Sequence, residues 1–420
     1  MKFALMYEIE MPGPHYPGQE YDKWWQVLAQ IQYADEMGFD YVWAVEHHCL
    51  EEFSHCSTPE ILFAAASQRT SRIRLGHGAV LLPQPYNHPI RVAERIGALD
   101  IVSSGRLDVG FARSTTLTEM GAFGIDPNDT RPMMNEALEI IPQLMMTDRF
   151  PGYKGRYFTI GENRNIIPKP IQKPHPPLWM ACSSPDSFNI AANYGLGVLC
   201  FNIVRADTIT ERVTNYRKLI QAPANLVVGQ VNNQIAVFMM TLCGEKNDET
   251  IEMAGEGMQW YMSLLKGQAP YWQRLHEQNR AEVFAQVESY QYAAVRAPEA
   301  SFFGRKEGAK LSDSARENGE KRAREELAPK NLVERGLLCA GNPDSCIKAL
   351  ERFEQLGVDL ILCFMEMGRV PHPKTMESIK LFGKYVIPYF KGRTSWNTAQ
   401  VQTTATASAT EAGHGSTTDG

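Results

Sequence analysis

IRLGHGAVLLPQPYNHPIRVAERIGALDIVSSGRLDVGFARS, residues 73–114, is the stretch that decides the fold. Its opening run, Ile73–Leu82, is apolar and reads as a strand. Pro89 starts a segment that reads as helix as far as Val102, Ser104-Gly105 supplies turn chemistry, and Arg106–Phe111 is strand again. Strand, helix and strand in this order are the repeating unit of a parallel α/β fold.

The same alternation extends in both directions. Towards the N-terminus lie a strand at Phe3–Glu8, a helix with Trp24, Val27, Leu28, Ile31 and Ala34 at helical spacing, and a strand at Tyr41–Val45. Thr58-Pro59-Glu60 reads as a helix start, with a capping hydroxyl, proline at the first position and an acid at the positive end of the dipole. That helix is expected to run to about Thr70. A helix at Met133–Met146 completes four units. Leu178–Cys182, Val198–Asn202, Gln234–Leu242 and Val358–Met365 read as strands five to eight.

Eight strands alternating with helices predict a closed (β/α)8 TIM barrel. An open doubly wound sheet fits less well, because no glycine-rich turn leads from the first strand into its helix. The barrel domain is placed at 1–396, with a helical insertion at about 247–330 between strand 7 and strand 8. The insertion carries Trp260, Tyr261, Tyr271 and Trp272 and then a mixed-charge run from Gly304 to Glu326. Above the catalytic face it would serve as a lid or substrate-access wall, or else as a solvated decoration or oligomer contact. Residues 397–420 are rich in Thr, Ala, Ser and Gly and are expected to be disordered.

Composition narrows the function. The 420 residues are 44% hydrophobic and carry a net charge of −6, with no long basic stripe for a phosphate backbone, so nucleic acid is not an expected partner. Glu8 and Glu10 interrupt the N-terminal apolar run, and no apolar stretch is long enough to span a bilayer, which points to a cytoplasmic chain with no membrane partner. The eight cysteines, from Cys49 to Cys363, contain no C-x-x-C pair and read as buried reduced thiols.

In a parallel barrel the chemistry sits where strands end at their C-terminal side. Four exits are polar: Glu46-His47-His48, His77-Gly78-Ala79, Ala112-Arg113-Ser114 and the run Ser183-Ser184-Pro185-Asp186-Ser187. Ser184 is placed to cap a helix beginning at Pro185, leaving the hydroxyls of Ser183 and Ser187 beside a positive helix end. This arrangement suits a phosphate and also suits an ordinary capped helix. Arg113 is placed to grip a phosphate or to form a surface ion pair. The histidines admit three readings: proton transfer, metal binding with Cys49, His55 and Cys56, or structural hydrogen bonding. Adjacent histidines at a strand end point in different directions, so no metal is expected. Trp43, Phe111, Phe123 and Phe201 would either line an apolar mouth or belong to the core.

Taken together, EHH at 46–48, HGAVLLP at 77–83, the pattern SxGRLDVGxARS at 103–114, FGIDPNDTR at 123–131 and GVDLILCF at 357–364 resemble the bacterial luciferase-like flavin monooxygenases. The resemblance covers roughly 1–245 and 332–390. It implies a two-component monooxygenase in which a separate flavin reductase supplies reduced FMN. Oxygen would add to form a flavin 4a-hydroperoxide that oxygenates a hydrophobic organic substrate. By position it implies that Arg113, Ser184 and Ser187 hold the FMN phosphate with Ser183 nearby. Glu46, Gly78 and Ala79 would lie by the flavin ring, with a cis peptide at Gly78–Ala79. It also implies that His47 is the catalytic histidine, oriented by Glu46 or His48, and that the chain forms a homodimer. Ala112 stands where luciferase has a reactive cysteine, so light emission is not implied. Two alternatives remain: a deazaflavin- or flavin-dependent dehydrogenase of the same superfamily, and a non-catalytic partner subunit of a heterodimer.

Overall fold

The computed structural model describes residues 1–114, 116–201, 206–275 and 327–391, with the backbone alone for 265–275. Its strands are β1 (Lys2–Tyr7), β2 (Tyr41–Ala44), β3 (Arg74–Leu81), β4 (Leu107–Ala112), β5 (Tyr153–Lys154), β6 (Thr159–Ile160), β7 (Leu178–Ala181), β8 (Gly197–Cys200), β9 (Ile235–Cys243), β10 (Leu338–Gly341) and β11 (Leu360–Phe364). The main sheet runs β10-β9-β11-β1-β2-β3-β4-β7-β8, and β9 also pairs with β8, so the wall closes. Every pair in the main sheet is parallel. This is the eight-stranded barrel that the alternation predicts.

One wall strand departs from the expected count. β10 pairs with the upper half of β9, Leu338 opposite Met240 and Gly341 opposite Cys243, beyond the point where β8 stops at Cys200 opposite Val237. Four residues, Leu-Cys-Ala-Gly, are too short to show a period of their own. The pair β5–β6 is a small antiparallel ladder outside the barrel.

Large and small side chains alternate across the interior, as a packed barrel requires. Trp43 and Trp179 are wholly buried, with ring centroids 5.5 Å apart and edge to face. A methyl group added at Gly76 would lie 2.1 Å from the Trp43 ring, and one at Gly197 would lie 2.6 Å from Trp179. These glycines make the room that the indoles fill. Trp43 and Phe111 are therefore core residues, with the Trp43 ring reaching Gly78.

The surrounding helices follow their sequence signals, with some corrections. Pro89–Val102 forms as read, with the His88 ring accepting from the Ile90 N–H at its start. Pro59–Ser67 begins at its proline but ends three residues before Thr70, and Thr58 makes no side-chain capping bond. A six-residue helix, Leu117–Ala122, lies in a segment where no helix is expected. Of the insertion, two parts are described: a helix at Asn247–Leu275 that follows on β9, and residues 327–330, which lead into a helix at Pro329–Glu334. Its charged run and the 397–420 tail lie outside the described residues.

Candidate active site

β1, β2, β3, β4 and β7 are consecutive neighbours in the wall, so the residues after their C-terminal ends share one sector of the mouth. The sector carries Glu8 after β1, Glu46, His47 and His48 after β2, and Gly78–Ala79 within β3. Arg113 and Ser114 follow β4, and the serines follow β7. The sequence therefore brings its predicted site residues onto adjoining strands.

Glu46 ties β2 to β3. Its Oε2 accepts from the Leu81 N–H at 3.0 Å and its Oε1 accepts from Asn87 Nδ2 at 2.8 Å. His48 Nε2 lies 3.3 Å from Oε1, and His77 Nε2 lies 3.7 Å from Oε2. Burial alone would raise the pKa of this carboxyl, but the His48 contact, the His77 ring, the Leu81 N–H and the Asn87 amide outweigh it and hold it low. Glu46 thus fixes the stretch just beyond Gly78–Ala79. That peptide is cis, as the resemblance implies, and the ladder to β4 shifts register between His77 and Val80.

His47 is oriented by a residue that the sequence reading does not single out. Its Nδ1 lies 3.1 and 3.2 Å from the two oxygens of Glu119, and Glu119 Oε1 also accepts from the His48 N–H at 2.7 Å. Neither Glu46 nor His48 performs the orienting role expected of them: Glu46 bonds to His48, while Glu119 holds His47. Glu119 is fully buried in the helix Leu117–Ala122. Burial disfavours the imidazolium, but the charge and hydrogen bond of Glu119, with Glu8 and Glu46 adding, raise the His47 pKa to about 9.

His48 faces a different environment. It stacks on Tyr86 with ring centroids 5.6 Å apart and meets the edge of Phe123 at 5.1 Å. The Tyr86 hydroxyl lies 3.2 Å from Ser114 Oγ, which joins this aromatic group to the β4 exit. Phe123 is part-exposed and Phe201 comes close to Gly78. Of the four aromatic residues singled out in the sequence, these two belong to the mouth.

The serines form a reciprocal capping box. Ser184 Oγ accepts from the Ser187 N–H at 3.3 Å, and Ser187 Oγ accepts from the N–H groups of Ser183 and Ser184 at 3.1 and 3.0 Å. Ser187 Oγ also donates to the Ser184 carbonyl at 2.7 Å. Both the Ser184 and the Ser187 hydroxyls are therefore engaged in the cap. Ser183, Ser184 and the adjoining Arg113 are half-buried. Ser183 and Ser184 lie at the positive end of the helix Pro185–Tyr194 after β7, and Arg113 follows the neighbouring strand β4.

On the far side of His47 lie Phe53, 5.7 Å away edge to face, and Tyr261, whose ring is 5.1 Å from Phe53. The Tyr261 hydroxyl donates to Glu8 Oε1 at 3.1 Å. The helix after β9 thus reaches the site. Among the described residues, no three His, Cys, Asp or Glu side chains are arranged to hold a metal ion. No described helix is long and apolar enough to cross a membrane.

A family model described as luciferase-like monooxygenase matches residues 1–360. The chain is 29% identical over 224 residues to the oxygenase component of flavin-dependent trigonelline monooxygenase from Acinetobacter baylyi, covering 51% of this chain and 58% of that protein. It spans about half the length of the curated relatives it matches. The fold is similar to the oxygenating constituent of 3,6-diketocamphane monooxygenase from Pseudomonas putida, solved with FMN. The TM-score is 0.66 at 20% identity, over 92% of this chain and 98% of that one. It is also similar to the coenzyme F420-dependent tetrahydromethanopterin reductase of Methanopyrus kandleri, with a TM-score of 0.61 at 19% identity over 93% and 99% of the two chains.

Proposed function

This chain belongs to the luciferase-like monooxygenase family, and on that premise we propose that it is the oxygenase of a two-component system that uses reduced FMN and oxygen on a hydrophobic organic substrate. The observation that carries the proposal is the His47–Glu119 pair after β2, two strands from Arg113 after β4 and three from the serines after β7. A relative named as an oxygenase component supports a separate reductase as partner.

The residues present fit FMN. Hydroxyls of Ser183 and Ser184, a helix N-terminus and the Arg113 guanidinium make the donor set that a phosphate takes. The space over Gly78 is filled by the Trp43 ring, so a flat ring would approach β3 at the small side chain of Ala79. Reduced FMN, when bound, would supply the electrons that activate oxygen.

The chain's own residues then divide the remaining work. Glu119 holds Nδ1 of His47, so Nε2 is the nitrogen that hands over a proton. With its pKa raised to about 9, His47 is a cation at neutral pH. It therefore donates a proton or steadies a negative charge. Phe53, Tyr86, Phe123 and Phe201 wall the mouth with rings, exclude water and suit an apolar substrate.

The test is rapid mixing of the protein and anaerobically reduced FMN with oxygenated buffer, followed by absorbance. A protein-dependent transient that is absent in His47→Asn is the expected result. Tight binding of a deazaflavin cofactor, with no effect on the oxygen reaction of FMN, would make the chain a hydride-transferring dehydrogenase. Failure to bind either cofactor would make it a non-catalytic subunit.

A further inference from the structure

Behind His47 the chain places two carboxyls that the proposed reaction does not use. Glu8 and Glu10 leave β1 on either side of Ile9, and all three residues are buried. Ile9 has a left-handed backbone, with φ of 56°, a conformation that branched residues avoid. Glu8 Oε1 accepts from Tyr261, while Oε2 is enclosed and has no hydrogen-bond partner. A buried carboxyl with one bonded and one bare oxygen is poorly suited to a permanent negative charge.

We propose that Glu8 is a positioning residue that sets the charge on His47 by gaining and losing a proton of its own, with Tyr261 controlling that exchange. This inference rests on the reading of His47 as the proton-carrying group of the site. Several titratable groups interact with Glu8: His47 from the loop after β2, Glu119 from the helix Leu117–Ala122, Tyr261 from the helix after β9, Cys56, and Glu10 from its own segment. Glu10 in turn accepts from the Gly368 N–H, and the neighbouring Glu366 pairs with Lys23 at 2.9 Å. His47 is the cation among the groups acting on Glu8.

The pKa directions agree with the geometry. Burial raises Glu8 to about 7 against the opposing pull of His47 and the Tyr261 hydrogen bond, while Glu119 adds to the rise. Glu8 therefore changes charge within the range where His47 is still protonated. As Glu8 ionises, it deepens the attraction that keeps the proton on His47. A carboxyl that alternates between neutral and anionic in this way adjusts how readily the imidazolium gives up its proton.

The experiment is a pH titration of the ligand-free protein labelled with 15N-histidine, the His47 signal being identified by its loss in His47→Asn. Two inflections are expected in that signal, one near 7 from Glu8 and one near 9 from His47 itself. Glu8→Gln should abolish the lower inflection and move the upper one down by on the order of one pH unit. Tyr261→Phe should move the lower inflection up, because the carboxylate loses a donor. An unchanged His47 curve in folded Glu8→Gln overturns the proposal. Should that variant not fold, an unmoved lower inflection in Tyr261→Phe overturns it instead. No flavin is present, so either outcome leaves the proposed oxygenase activity to its own test.

Discussion

The β1–β2 side of the mouth and the β4–β7 side are built on opposite electrostatic plans. On the first, three buried carboxylates, Glu8, Glu46 and Glu119, surround two histidines, and each histidine contacts a different acid. On the second, a helix N-terminus and an arginine present positive character at a half-buried rim, and the serines satisfy one another in the meantime. A charge kept from water needs a fixed partner, whereas a rim that receives an anion needs donors that can be released. On the proposed function, the contrast would give a ligand with one anionic end a direction, with its phosphate at β4 and β7 and its ring towards β2 and β3.

The comparison breaks most sharply at Glu119. Glu119→Gln should destabilise the protein by about 3 kcal/mol at pH 6, because it removes the carboxylate from a buried pair. The His47 pKa is raised from its usual 6.5 to about 9, so this stabilisation is complete below about 6.5 and lost as pH rises through about 9. Urea denaturation at pH 6 and pH 10 checks the sign: the deficit should be smaller at pH 10, and an equal deficit at both would mean that His47 is not held as a cation.

Arg113→Ala tests the other side. It should weaken FMN binding by about 2 kcal/mol, or roughly 30-fold, with little change in urea midpoint. Fluorescence titration of FMN would show it, and undiminished affinity would remove Arg113 from the phosphate seat. Ser184→Ala should cost about 1 kcal/mol of stability through the lost cap and should also weaken FMN binding. A loss of stability alone would make the seat an ordinary helix start. The smallest effect is expected for Tyr86→Phe, about 0.5–1 kcal/mol from the lost hydrogen bond to Ser114. Thermal melting would register it while FMN affinity stayed constant.

The barrel was legible because its strands are short, mostly apolar runs and several of its helices, Pro59–Ser67, Pro89–Val102 and Pro185–Tyr194 among them, open at prolines. Pro89–Val102 matches its reading at both ends. β10 was not legible, since a four-residue strand carries no periodicity and follows a long segment of different composition. The site was legible at the strand exits but not where the chain returns to them. Glu119 lies 72 residues from His47, and nothing local joins the two. The available signal was an acid set among Leu117, Met120, Phe123 and Ile125, where burial demands a partner. Glu8 and Glu10 stood in view as interruptions of an apolar run. Their burial depends on Tyr261 and Gly368, which are hundreds of residues away.

The two indoles that meet across the barrel's waist have a consequence for traffic. Among the described residues, Trp43 and Trp179 meet edge to face and are wholly buried, so the space inside the wall at their level is filled by side chains. On the proposed function, flavin, oxygen and substrate would then meet at the open end of the wall, above the two rings.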